Sequence, residues 1–376
     1  MKRGKNFMLR SAVLLPLPML FLVPALGSNW AFAVLFYLSI FTFLVDETLT
    51  SESDEKPQAG RVARTFADLV PVVLGLAHLI LLPLAVASLA TAHQQPLSDT
   101  VLKFTAFSLF FGTISTANAH ELIHRKGLFR RLLGTWVLIS ILFGHHASAH
   151  TGVHHVRVAT RDDPNTARLN EGVYRYFLRA WRGSFRTGLA LEVTRRQKKP
   201  RLAALITNPY CVYIAGAVMF ILGVWVFFGP AGLVAYFGLA LIAQSQLLLS
   251  DYVQHYGLER KKLHGGKYER VTVQHSWNAP HALSSALILN ASYHSDHHVN
   301  PQKRYHDLRH RAGDGAPVLP HSIPVMSLIA LFPGLWRRTM NPLVATWLAR
   351  QNRAPERTPS PSSVEIGYGG CEPKTA

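Results

Sequence analysis

The chain has 376 residues, of which 49% are hydrophobic and only 16% charged, with a formal net charge of +18. Soluble domains carry roughly 25% charged residues, and here the apolar residues fall in long runs rather than periodic stripes, which points to a membrane protein. The excess of basic residues fits loops retained on the inner side of a membrane; no aromatic-basic recognition motif argues for nucleic acid. Two cysteines, Cys211 and Cys371, exclude a disulfide framework and any Cys-x-x-Cys metal site.

In chain order, a basic N-terminus, Met1-Lys2-Arg3-Gly4-Lys5, leads into a first apolar run near residues 11–27. A signal peptide and a retained membrane helix both fit it. A second run follows at once, near 30–46. The polar segment 47–66 precedes a third span near 69–90. A loop without Lys or Arg, 91–100, leads to a fourth near 101–119. The long polar segment 120–205 is rich in Arg and Lys. A fifth span near 211–228 turns at Gly229-Pro230 into a sixth near 231–249. The run at 132–143 is too short to span and is expected at the interface.

Loops near Ser28, His93 and Gly229 lack Arg and Lys, whereas 1–10, 47–66, 120–205 and 255–376 hold nearly all of them. The expected fold is therefore an all-α integral membrane protein of about six transmembrane helices, with both termini cytoplasmic. Residues 1–345 form the membrane domain. The Pro-, Ser- and Gly-rich remainder, 346–376, reads as a disordered tail.

Histidines cluster where the chain leaves the membrane on the cytoplasmic side. They are His120-Glu121-Leu122-Ile123-His124 after span four, His150 with His154-His155, His255 after span six, and His294-Ser295-Asp296-His297-His298. Spacings of three and four residues place imidazoles on one side of a helix. His146, His150 and His154 repeat every four residues and would line one face. A solvated surface has no use for such a stack and an apolar core is harmed by it, so metal binding is the natural reading.

Nine such histidines exceed one ion's needs and suit two, with four or five ligands each. Without thiolates, iron fits imidazole and oxygen chemistry. Glu121, Asp251, Asn290 and Asp296 sit within about a turn of these histidines and are candidates to accept the second imidazole N–H; solvated residues would fit the same positions. His120-Glu121-x-x-His124 alone also matches a zinc peptidase, with Glu121 as base, but a peptidase has no need of three further histidine groups.

These clusters resemble the membrane-bound alkane hydroxylases (alkane 1-monooxygenases) of the integral-membrane diiron hydroxylase and desaturase superfamily. The resemblance spans roughly residues 30–340. It rests on His120-Glu-Leu-Ile-His124, on His150-x-x-x-His154-His155-Val-Arg-Val-Ala-Thr with Asp163-Pro164, and on Asp251-Tyr-Val-Gln-His255-Tyr-Gly-Leu-Glu-Arg260. Gly266-Lys-Tyr-Glu-Arg270 with His275-Ser-Trp-Asn278, and Asn290 with His294-Ser-Asp-His297-His298, complete it. Ala149, Asp251, Ala291-Ser292-Tyr293 and Arg125 depart from the family's usual residues without removing a histidine.

The resemblance implies a non-haem enzyme with two iron ions that inserts one atom of O2 into a terminal C–H bond of a linear alkane, giving a 1-alkanol. It implies electrons from NAD(P)H through a rubredoxin reductase and rubredoxin, and an address in the bacterial inner membrane. It also implies metal ligands at His120, His124, His150, His154, His155, His255, His294, His297 and His298. His275 aligns with a motif residue that is not a ligand, and His145 and His146 fall outside the ligand register. Desaturation, or hydroxylation of a fatty acyl chain or alkyl aromatic, is the related alternative. The two cysteines cannot supply a fused rubredoxin. The basic residues Arg175, Arg179, Arg182, Arg186, Arg195, Arg196, Lys198 and Lys199 offer a face to an acidic electron donor, though positive-inside anchoring also explains them.

Overall fold

A computed structural model describes residues 11–49 and 61–353. The basic N-terminus, segment 50–60 and everything beyond Arg353 lie outside the described residues. The described residues are helical and contain no strand, only isolated bridges between Lys262 and Tyr268 and between Asn278 and Val318.

The chain is an all-α integral membrane protein, with four helices long and apolar enough to cross a bilayer. A short apolar helix, α1 (Pro16–Leu26), ends at Gly27, whose φ of 89° reverses the chain into α2 (Ser28–Thr48). Next come α3 (Arg61–Ala90) and α4 (Leu97–Ile123). The fourth is α9 (Pro209–His255), whose 47 residues break at Gly229. There φ is 61° and ψ −160°, a conformation essentially confined to glycine. At 1.5 Å per residue α9 is about 70 Å long, roughly twice a hydrocarbon core, so its halves correspond to the fifth and sixth expected spans. The first expected span corresponds to α1, at 11 residues shorter than a bilayer. Large apolar side chains such as Ile214, Leu222, Trp225 and Phe227 stay exposed along α9, as a helix against lipid requires.

Between α4 and α9 lie α5 (Leu128–Ser140), a short histidine-bearing segment, α6 (146–157), α7 (Val173–Thr194) and α8 (Arg201–Ile206). The run at 132–143 is thus largely α5, packed on α3 and α4. Two glycines allow that approach. A Cβ on Gly134 would stand 2.7 Å from Leu122 Cβ and 2.9 Å from the Ala119 carbonyl oxygen, and one on Gly75 would stand 2.9 Å from Leu133. Beyond α9 the chain forms α10 (Ala282–Leu287), α11 (His294–Val299), α12 (Ile323–Ala330) and α13 (Pro333–Arg353). Helix α13 carries regular structure past residue 345, where the disordered tail was expected to begin. Buried aromatics tie this last part to α9: Trp336 lies 5.2 Å, ring to ring, from both Tyr252 and Tyr256.

Candidate metal centre

All four histidine clusters meet at one end of the helical bundle. Helix α4 delivers His120 and its end His124, α6 delivers His150, His154 and His155, the last turn of α9 delivers His255, and α11 delivers His294, His297 and His298. Their ring nitrogens sort into two groups, each with ligand atoms within 4.8 Å of one another: His120, His124, His150, His155 and His297 in one, His154, His255, His294 and His298 in the other. The groups adjoin, with the His155 and His298 rings 4.5 Å apart. Two pairs of consecutive residues, 154–155 and 297–298, are divided between them.

The local backbone explains the division. Residues His150–His154 form a π-helical turn, in which the backbone hydrogen bonds run over five residues rather than four. His150 therefore meets His155, Nε2 to Nε2 at 3.0 Å, while His154 is carried into the other group. His146, His150 and His154 do follow one another along one face, with ring centroids 4.9 and 5.1 Å apart, but they do not share a metal group: His150 and His154 fall into different groups and His146 into neither. His146 lies outside both groups, stacked between Phe143 and His150 at 5.2 and 4.9 Å. His145 points to Ser184, Phe185 and Trp181. His275 is held by Glu269 and Thr272, likewise outside both groups.

Burial holds His150, His155, His297 and His298 well below the usual imidazole range, and neighbouring histidines push the same way. His294 is pushed down to about 3, chiefly by burial and then by His154. These rings are neutral, and neutral imidazole is the form that binds metal. His154 goes the other way. Burial opposes its charge, but the Asp163 carboxylate and its hydrogen bond to Nδ1, 2.8 Å, win and raise it.

Whether a metal fits is answered by the nitrogens themselves. The Nε2 atoms of His150, His155 and His297 form a chain with 3.0 and 3.1 Å steps, and those of His255, His294 and His298 one with 2.9 and 3.1 Å steps. Each neutral ring has one N–H and one lone pair, and buried His124 Nε2 and His154 Nε2 have no hydrogen-bond partner among the described residues. Unsatisfied buried nitrogens are costly. A cation bonded to nitrogen at about 2.0–2.1 Å holds its ligand atoms about 3.0–3.4 Å apart. The donor sets therefore suit two nitrogen-ligated ions.

The carboxylates and amide expected beside the ligands take other partners. Glu121 receives Arg125 Nη2 and the Tyr305 N–H, both at 3.3 Å; neither contact points it at a metal as a peptidase base. Asp296 takes Lys303, Arg311 and the Arg309 N–H. Asn290 donates to the Tyr305 carbonyl at 3.0 Å. Asp251 accepts from Asn165 Nδ2 at 2.7 Å. The carboxylate directly on one of the nine grouped histidines is Asp163, which also accepts from Thr166 Oγ1 at 2.7 Å and from the Asn165 N–H at 3.1 Å. Sequence spacing alone did not select it, nine residues beyond His154; its place in the Asp-Pro motif was the available signal. Among the basic residues, Arg179 binds Glu171, and Arg195 and Arg196 bind Glu192, while Arg175, Arg182, Arg186, Lys198 and Lys199 are exposed.

The sequence model of the fatty acid desaturase family matches residues 100–329. Among curated relatives, alkane 1-monooxygenase 2 of Pseudomonas aeruginosa is 34% identical over 238 residues, 63% of either chain. Alkane 1-monooxygenase 1 of Alcanivorax borkumensis is 33% identical over 256 residues, 67% of this chain and 62% of the relative. The xylene/toluene monooxygenase hydroxylase component of Pseudomonas putida is 24% identical over 295 residues, 74% of either chain. The match thus spans less than two thirds of the length of the two alkane monooxygenases.

Proposed function

We infer the function from one premise: the chain belongs to the fatty acid desaturase family. Within it, this protein is a non-haem diiron monooxygenase that converts linear alkanes to 1-alkanols with O2. Its electrons come from NAD(P)H through a rubredoxin reductase and rubredoxin. The observation that carries this reading is the convergence of nine imidazoles, in groups of five and four, at one end of an apolar helical bundle. The similarity to alkane 1-monooxygenases supports the substrate class.

His120, His124, His150, His155 and His297 would hold one iron, and His154, His255, His294 and His298 the other. Bound iron supplies the activation of O2 and the oxidation of the C–H bond. The chain's residues do the rest. Neutral ligands leave the ions strongly electrophilic. Asp163 keeps the His154 proton on Nδ1 and frees Nε2 for metal, and the Ala291 carbonyl, 3.2 Å from His294 Nδ1, does the same there. Apolar side chains of the spans receive the alkane from lipid and exclude water.

The basic concentration in the loops supports a cytoplasmic centre and cytoplasmic termini in a bacterial inner membrane. The exposed Arg175, Arg182, Arg186, Lys198 and Lys199 would steer an acidic donor to that side. A second reading, hydroxylation of a methyl group on an aromatic ring, is supported by the xylene/toluene monooxygenase relative.

Cells or proteoliposomes containing the chain, supplied with rubredoxin, its reductase and NADH, would be given linear alkanes alongside toluene and xylenes. 1-Alkanols are the expected product. Benzylic alcohols alone would favour the second reading, alkenes would mean a desaturase, and no oxygenated product from an iron-loaded protein refutes the assignment.

A further inference from the structure

Helix α3 carries one histidine, His78, fully buried within the apolar bundle. An ionisable residue there is rare and calls for named partners. His78 has two, from two different helices. Its Nδ1 bonds Ser115 Oγ on α4, and its Nε2 lies 2.8 Å from Ser140 Oγ at the end of α5. Both serines are themselves fully buried.

The proton positions follow by accounting. Ser140 Oγ donates to the Val137 carbonyl, 2.8 Å away. It has no second proton, so His78 Nε2–H donates to it. The other ring nitrogen is then an acceptor, and Ser115 donates to it. Every polar atom of the three side chains is used, and the Ser140 carbonyl receives Tyr236 OH from α9 at 2.7 Å.

The positions of the serines give this knot its meaning. Ser115 lies five residues before His120, about 7–8 Å along the helix, on the segment that ends with His124. Ser140 ends α5, and the turn after it leads straight into His150 and His155. The segments that His78 joins thus supply four of the five histidines of the larger group; His297 comes from elsewhere. Of the four-histidine group, only His154 lies on either segment. The same three helices approach closely at Gly75 and Gly134, where no added Cβ would fit, so packing limits their separation and leaves His78 to limit their relative slide.

We propose that His78 is a positioning residue for the five-histidine site: a brace within the membrane that fixes the two ligand-bearing segments relative to each other. It rests on the reading of the centre as diiron. Without the brace, the imidazoles remain but their convergence loosens.

The test is anaerobic Fe(II) titration of the full chain in detergent, with thermal unfolding followed in parallel. For His78→Leu, affinity at one of two sites should fall about 10–100-fold, the range for loss of groups that orient ligands, while the other site keeps its affinity. Added to His297→Ala, which disables the larger group, the substitution should change iron content no further. Added to His255→Ala, which disables the smaller one, it should remove most remaining iron. Ser115→Ala breaks a single bond and should show a weaker form of the same selective loss, and it carries the test if His78→Leu does not fold. Equal loss from both sites, in step with a lowered unfolding temperature, would mean a general packing role and overturn the proposal; so would unchanged affinity at both. A wild-type chain that takes up no iron overturns the diiron reading itself, and the brace with it.

Discussion

Replacing Asp163 with asparagine tests the centre at its one direct carboxylate contact. The change keeps the shape and removes the charge. Asp163 Oδ2 accepts from His154 Nδ1 at 2.8 Å and Thr166 Oγ1 at 2.7 Å, while Oδ1 accepts from the Asn165 N–H at 3.1 Å. Asparagine has one oxygen for these three donors. If its oxygen serves Asn165, its NH2 faces His154 Nδ1, and the ring must accept there and carry its proton on Nε2. Nε2 is the buried nitrogen turned to the four-histidine group, so the proton sits where a metal bond belongs. If the amide turns over, the Asn165 N–H faces an NH2 instead, and a buried donor is left unpaired at about 1–3 kcal/mol. In the second arrangement the tautomer is kept but an uncharged oxygen replaces the carboxylate at His154 Nδ1 and leaves the ring a weaker ligand, so in both cases iron affinity at the four-histidine site should fall, by about 10–100-fold or about 1.4–2.7 kcal/mol. The five-histidine site should be little affected. Fe(II) titration of Asp163→Asn and Asp163→Glu, with iron counted per chain, reads this out. Wild-type affinity at both sites in Asp163→Asn would refute the reasoning.

Three further substitutions test other parts of the structure. His150→Ala removes an imidazole from the five-histidine group and should cost one iron per chain and the activity, whereas His146→Ala, outside both groups, should keep its iron; equal iron loss in the two would show that the groups are misread. Gly229→Val forces a branched side chain into a backbone conformation that only glycine adopts comfortably, at about 1–3 kcal/mol, and should lower the unfolding temperature in detergent without changing iron content.

The membrane spans were legible in the sequence because lipid demands long apolar runs, and the break at Gly229-Pro230 was legible from its two residues. The histidines stood out because few other roles suit so many imidazoles at membrane exits. Their sorting was hidden. It depends on one extra residue in the turn at 150–154, and π and α turns have no distinct sequence pattern, so the four-residue spacing of His146, His150 and His154 shows the stack they form but not that His150 and His154 serve different groups. The helpers were hidden for a related reason. Asp163 reaches His154 through the fold of the loop, not through helical spacing, while Asp296 and Glu121, close to histidines in sequence, are drawn away by Arg311, Lys303 and Arg125. His78 sat in an apolar run whose overall hydropathy masked it.

The division of residues 154–155 and 297–298 between the two groups makes the centre a single mechanical unit. One peptide link separates a ligand of one ion from a ligand of the other, twice over. An ion seated in either group therefore immobilises backbone on which the other group depends, and that group then has less freedom to lose when its own ion arrives. This coupling should be small beside the binding itself, so two ions bind somewhat more tightly together than singly while a chain with one group disabled still fills the other, even though no residue is shared between the groups.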